Sequence, residues 1–586
     1  MPYASMKTGE AGMSDSCRDV STDVLVVGSG GAALRAALEA DSSGADVLVV
    51  IKGEFRKSGA TFHSVAEVGA FNVPDGAGDH SDNPDVFLAD ILHAAQGMAD
   101  PRLSAILANE AHESLRYLEQ YGVKFEREDD HYLVFRACFS SKPRSHVIHE
   151  HFKPIVKSLG TEASRRGIKV MDRLMIVDLL SQDGECLGAY AIDSDGNPML
   201  IRAKSTILTT GGASQLFAQN LYPSDITGDG YAMAYRAGAR LVNMEFMQAG
   251  VSVLTPFVNL FGNYLWDAHP NLTDRDGRAF VPDYLPTGLA QEDVIRQKER
   301  HFPFSSSDIS RYVEISIQKA LNDGRGTAEG GVFLDFAGCD LESILADKSR
   351  SIARMWPLTC QWYKERGVDL YRDRVQITCS AHAINGGVYI DENAQSNLKG
   401  LFAAGEVAAG PHGADRLGGN MALTCQVFGR RAGLAAAERA KKTTHRATTG
   451  ALDDNRTVAT QFRRNGRHTL DELKARIQQC ANRYLLIVRE EAGLQTFRRV
   501  CRETRNQLFQ DTVIGTPAEL MRGIELANLI QVGELMASAS LVRRESRGGH
   551  YREDFPERNA DFACNIFLER NVHEGLWLGR LADLSS

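Results

Sequence analysis

The stretch STDVLVVGSGGAALRAALEADSSGADVLVVIKG, residues 21–53, decides the fold. Val24 to Val27 is an apolar, β-branched run of the kind that forms a buried strand. Gly28, Gly30 and Ala33 follow at G-x-G-x-x-[GA] spacing. Ala32 to Ala40 is rich in helix formers, and Val47 to Ile51 is a second buried-strand run. Strand, glycine turn, helix and strand in that order spell a βαβ unit of roughly 30 residues. Gly28 permits the tight turn, Gly30 lets the backbone come up to a pyrophosphate, and Ala33 lets helix pack close on strand. The helix N-terminus offers the phosphates the positive end of its dipole. The stretch therefore predicts dinucleotide binding. An NAD-type site ends its second strand on an acid that binds the ribose, whereas Lys52 stands there. That points to another dinucleotide or to another mode of ribose recognition.

The surrounding 586 residues are too many for one core and suggest several domains. Apolar residues make up 43% and charged residues 24%, as in ordinary globular proteins. A net charge of −9 argues against nucleic acid or an acidic membrane surface as the main partner. No apolar run is long enough to span a membrane. The ten cysteines are scattered singly, with no CxxC pair. This speaks against a metal or iron–sulfur site within the chain and against a disulfide framework, and it points to the cytoplasm. Residues 1–20 are small and polar and read as a disordered tail without the apolar core of a signal peptide.

Further along, Asp229 sits in a Gly-Asp-Gly turn, where a carboxylate can accept from ribose or ribityl hydroxyls. Glu406 follows the apolar strand Leu401–Ala404, at the carboxyl edge where α/β sheets bind ligands. HGADRLGGNMALTCQVFGR, residues 412–430, places Arg416 in a glycine-rich turn before a helix. A guanidinium cannot shed its proton, so Arg416 must face an anion, a carbonyl or water.

Six pieces in order resemble one family. KSGATFHSVAEVG (57–69), TILTTGGA (206–213), ITGDGYAMAYRAGA (226–239), HAINGGVYID (382–391), GLFAAGEVAAGPHGADRLGGN (400–420) and RRESRGGHYREDFPER (543–558) match nearly the whole chain. They resemble the flavoprotein subunits of succinate dehydrogenase and fumarate reductase, and L-aspartate oxidase. The resemblance implies FAD and an α/β fold: a Rossmann-like FAD-binding domain, residues 21–240 and 356–445, split by an α+β capping domain, 241–355. A helical domain, 455–545, and a C-terminal segment, 546–586, would follow. Asp471–Leu485 and Ala518–Ala539 carry the amphipathic spacing this requires. It further implies cofactor contacts from Gly31, Lys52, Ser58, Gly59, Ala60, Thr61, His63, Gly211, Gly212, Asp229, Glu406, Arg416, Asn420, Met421 and Ala422. His63 lies six residues before Gly69, the spacing of the covalent flavin histidine in succinate dehydrogenases. However, Ala70 replaces their second glycine, and the loop resembles the aspartate oxidases, which hold flavin without a covalent bond. Both attachments stay open at this point.

The family grips a dicarboxylate with two histidines, two arginines and a threonine. His382 and Arg416 match that set, and Arg311 is the candidate for the proton-shuttling arginine, one residue out of register. Catalytic roles are therefore expected at Arg311, His382 and Arg416. Other positions depart. Gly250 replaces a substrate histidine, Gly262 the threonine and Trp266 an arginine, with His269 nearby either compensating for the lost grip or, the favoured reading, as an ordinary surface histidine. The expected substrate is thus a small carboxylate-bearing molecule other than plain succinate or aspartate, oxidised or reduced at a C–C or C–N bond. The electron acceptor would be dioxygen or a diffusible molecule. The alternative is a catalytic subunit paired with an iron–sulfur partner.

Overall fold

The computed structural model of the protein describes residues 18–63, 68–300, 302–348, 350–446, 461–462, 466–570 and 576–579. Strand β1 (Arg18–Val27), helix α1 (Gly31–Ser42) and strand β2 (Val47–Val50) form the expected βαβ unit. β1 and β2 pair in parallel from Val24↔Val47 to Val27↔Val50. β1 starts inside the stretch read as a tail, because Arg18 to Val20 pair with Met199 to Ile201; residues 1–17 lie outside the described residues.

The sheet runs β3 (Lys169–Met171), β2, β1, β6 (Pro198–Leu208), β5 (Glu185–Asp193), β4 (Leu174–Gln182). The β4–β5 hairpin turns on Asp183 and Gly184, both left-handed at φ 53° and 73°, the conformation a tight two-residue turn needs. α2 (Asp229–Ala237) follows β6, and the late strand β10 (Leu401–Ala403) returns to pair with β6 in parallel. A long insertion thus separates two halves of one domain.

The insertion carries an antiparallel sheet in which β7 (Met247–Thr255) pairs with β9 (Val375–Ile384), and β9 with β8 (Val332–Asp335). The sequence reading places 375–384 in the returning half of the FAD-binding domain. β9 crosses that boundary because periodicity identifies a strand but not its partner. Helix α3 (Arg311–Asn322) packs under this sheet. Helix α4 (Asn420–Lys442) closes back onto α1. Helices α5 (Leu470–Tyr484), α6 (Glu491–Gln510) and α7 (Pro517–Val542) form the helical domain. Capping boxes at Thr469/Glu472 and Thr516/Glu519 start α5 and α7. No helix among the described residues is long and apolar enough to cross a membrane.

The C-terminal motif acts as a clasp. Buried Glu545 accepts from Arg543 Nη1 at 3.0 Å and from Arg547 Nε at 2.7 Å, while Arg543 Nε donates to Glu245 just before β7. The Gly549 N–H donates to the Ala414 carbonyl at 3.1 Å, two residues from Arg416. A Cβ on Gly548 would come within 2.6 Å of that same carbonyl. The clasp therefore fixes the loop that carries the site arginine.

Candidate functional site

The βαβ turn, the end of β6 and the start of α4 converge on one cavity of about 380 Å³. Its wall includes Gly28, Gly30, Gly31, Lys52, Ser58, Gly59, Ala60, Thr61, Gly211, Asp229, His382, Glu406, Arg416, Met421 and Ala422, all expected from sequence. Both α1 and α4 start here on a glycine, with no side-chain cap and no acid in the first turn. The Gly31 N–H donates to Thr61 Oγ1 and the Asn420 N–H to the Leu417 carbonyl, each at 3.3 Å, while the positive dipole ends of both helices face the cavity. Gly28 has φ 122°, and a Cβ would lie 2.4 Å from the Thr209 carbonyl oxygen. Gly30 differs: its nearest protein neighbour would be 3.5 Å away, so its missing side chain leaves room for a ligand rather than for the fold.

Five lining side chains keep a buried polar atom without a protein partner: Thr210 Oγ1, Asp225 Oδ1, Gln248 Oε1, Arg416 Nε and Gln426 Oε1. Folded proteins rarely leave such atoms unmet, so the cavity is built for a polar ligand. Two helix N-termini, a glycine turn and this ring of unmet groups fit FAD.

The ribose-side expectation at Lys52 and Asp229 takes an unforeseen form. Lys52 Nζ donates to Asp229 Oδ2 at 2.8 Å and to Glu525 Oε1 of α7 at 2.7 Å, and Asn528 Nδ2 donates to Asp229 Oδ1 at 2.8 Å. Burial disfavours the Lys52 charge, but the two carboxylates outweigh it and hold the ammonium protonated. The helical domain thus braces this end of the cavity.

At the other end, burial pushes the Glu406 carboxyl from its ordinary 4.5 up to about 7, against the Ile384 N–H at 3.1 Å and nearby Arg416. The folded protein therefore holds a proton on Glu406 that the unfolded chain releases between these values. The contribution of Glu406 to stability is greatest below about pH 4.5, falls as pH rises to about 7 and is constant above, a span of about 3 kcal/mol at most. Glu406→Gln should remove this slope in urea unfolding between pH 5 and 7; an unchanged slope would assign it elsewhere.

Arg416 is 6% exposed; its Nη1 donates to its neighbour's carbonyl, Leu417 O, at 3.2 Å. Burial lowers its pKa, with Tyr222 and Glu406 opposing. The Tyr222 ring meets His382 edge-on at 5.4 Å, so Tyr222 links the His382 and Arg416 sides of the cavity. Behind Arg416, burial and the guanidinium hold His412 neutral, its Nε2 bonded to Thr424 Oγ1 at 3.0 Å.

Several expected residues lie elsewhere. Arg311 is not in the wall: at the first turn of α3 its Nη1 donates to the Ser306 carbonyl at 2.6 Å and its guanidinium sits near the Tyr312 ring. His63 is exposed and outside the wall. Ala33, Gly212 and Asn420 stand behind it: Ala33 is fully buried, a Cβ on Gly212 would strike Glu406, and Asn420 accepts from Asn72. Trp266 does not face the site; it is core, edge-on to Phe261 at 5.2 Å. Gly262 makes room for the Tyr264 ring, and half-buried His269 is also outside the wall.

Conversely, Tyr222, Asp225, Gln248, Phe302 and Cys138 line the cavity without having been singled out. Asp225 carried a faint signal, one residue before the ITGDG stretch; it accepts from the Gly59 N–H at 2.8 Å. Phe302 carried none.

Residues 23–421 match the family described as FAD binding domain, and residues 474–574 that described as Fumarate reductase flavoprotein C-term. A fumarate reductase (CoM/CoB) subunit of Methanothermobacter marburgensis is 33% identical, over 95% of this chain and 98% of its own. L-aspartate oxidase of Synechocystis is 29% identical, over 93% and 97%. Among solved structures, Mycobacterium smegmatis Sdh1 in complex with UQ1 superposes with a TM-score of 0.80 at 27% identity, covering 96% of this chain and 95% of that one.

Proposed function

The chain belongs to the FAD-dependent flavoprotein family of fumarate reductase, succinate dehydrogenase and L-aspartate oxidase, and we propose that it oxidises or reduces a small carboxylate-bearing substrate other than plain succinate or aspartate. Bound FAD supplies a hydride carrier, so a C–C or C–N single bond loses a hydride and a proton on oxidation and regains both on reduction. The observation that carries the reading is buried Arg416 with Nε unmet, in the same cavity as two helix N-termini. A guanidinium offers a carboxylate paired, charge-assisted hydrogen bonds. Tyr222 orients His382 beside it, and the α4 amides favour an electron-rich group at their end. The exposed position of His63 supports a non-covalent flavin. Acid precipitation should then release all the flavin into the supernatant; flavin retained in the pellet would show a covalent bond.

The test of the function is the visible spectrum of purified protein, followed anaerobically while succinate, L-aspartate and then a wider set of carboxylic acids are added. Bleaching by another acid but by neither of the first two supports the reading. Rapid bleaching by succinate or aspartate contradicts it. The singly placed thiols support a cytoplasmic enzyme. A second reading, a catalytic subunit with an iron–sulfur partner, is favoured by the 33% identical relative being one subunit of a fumarate reductase. Co-purification of a cluster-bearing protein would decide for it.

A further inference from the structure

Phe302 takes the space that a side chain from β7 would fill, and its setting bears on the substrate's far end. A Cβ on Gly250 would lie 2.9 Å from Phe302 Cε2, Cζ and O alike, so β7 accommodates glycine there. The segment is anchored. The Phe302 N–H donates to Cys138 Sγ at 3.1 Å, and its carbonyl accepts from Lys298 Nζ at 3.1 Å. Lys298 is buried and ion-paired with buried Glu314 on α3. The Phe304 N–H donates to Ala249 O at 2.7 Å, and Pro303 bridges to Gly250, laying residues 302–304 along β7. The ring meets His382 edge-on at 6.0 Å, and Leu260, Pro303 and Ala137 continue an apolar wall.

Apart from His382, which the reading above assigns with Arg416 to the first carboxylate, the polar groups on this side offer an anion little. Asn263 Nδ2 directs one of its N–H groups to the Glu299 carbonyl at 2.6 Å. Gln248 Nε2 directs one N–H to the Arg416 carbonyl at 3.0 Å, and its Oε1, an acceptor, is unmet. Arg136 lines the exposed rim, where an ion pair in water contributes little. A second carboxylate would meet an aromatic ring, an unmet acceptor and no more than single neutral amide N–H groups, and would lose most of its hydration.

We propose that the substrate carries one carboxylate, held at Arg416, and at its other end an apolar or aromatic group that packs on Phe302. This rests on the reading of Arg416 given above, and the experiment separates the two. On the FAD-loaded protein, 3-phenylpropanoate, cinnamate, succinate and fumarate are titrated. Perturbation of the flavin spectrum reads binding, and anaerobic reduction or reoxidation reads electron exchange. Cinnamate should bind about 10-fold more tightly than fumarate, and Phe302→Ala should lower that ratio about 10-fold. Phe302→Leu, which keeps apolar volume and guards against a misfolded variant, should lower it about 3-fold. Fumarate binding as tightly as cinnamate, or a ratio unchanged in both variants, overturns the inference. Tight aryl-acid binding without electron exchange leaves it standing and removes the functional reading. Electron exchange with succinate or fumarate but not with the aryl acids overturns the Phe302 inference and contradicts the substrate reading above, leaving only the carboxylate grip at Arg416, and absence of all binding overturns that as well.

Discussion

Arg416→Ala is expected to lower kcat/KM by about 10²–10⁴-fold, and Arg416→Lys by about 10–100-fold. The guanidinium is buried, its Nε has no protein partner, and its Nη1 reaches only a neighbouring carbonyl. Truncation removes a charge-assisted grip where water cannot replace it. Lysine keeps the charge but loses the planar fork, so it restores only part of the rate. A structural role would behave differently. Burying an incompletely paired cation costs stability, so Arg416→Met should unfold at a higher temperature than the wild type while losing activity. Steady-state kinetics and thermal unfolding of the three variants check this. A variant that loses activity and stability together would make Arg416 a folding residue instead.

Gly28→Ala should cost about 3–5 kcal/mol and yield protein without flavin. At φ 122° an added Cβ is strained, and it would sit 2.4 Å from the Thr209 carbonyl oxygen. That carbonyl cannot yield easily, because the Thr209 N–H and Oγ1 are both bonded to the Val27 carbonyl, at 2.9 and 2.7 Å. Gly30→Ala is the informative contrast. Its Cβ would find nothing closer than Thr61 Oγ1 at 3.5 Å, so stability should change by less than about 1 kcal/mol. FAD affinity should nevertheless fall at least about 10-fold, because the new methyl group enters the space left for the ligand. Urea unfolding and the flavin-to-protein absorbance ratio of both variants separate fold from cofactor. Equal destabilisation of the two would refute the distinction.

The features legible in the sequence were those in which local geometry and chemistry coincide. Gly28 marks a turn that only glycine fits, and Arg416 follows from one contiguous motif whose helix starts in the cavity. The unread features depend on contacts between distant segments. Glu525 meets Lys52 across 473 positions, and no local pattern announces that α7 braces the cofactor end. Phe302 is tied to Cys138 across 164 positions, and its fit against Gly250 shows only once β7 and the 302–304 segment lie side by side. Trp266 shows the opposite error: alignment to a motif suggested a site residue, whereas the apolar core had claimed the side chain. Arg311 lies outside the cavity wall, since a helix position fixes spacing but not which face meets the cavity.

The most direct test of the central claim compares an active acid with its own primary amide. The amide keeps the size and shape of the acid and removes the negative charge. With flavin reduction followed anaerobically in wild-type protein, the acid should exchange electrons at least about 100-fold faster than the amide, and Arg416→Ala should erase most of that difference. Equal rates for acid and amide in the wild type would show that Arg416 does not face a substrate carboxylate.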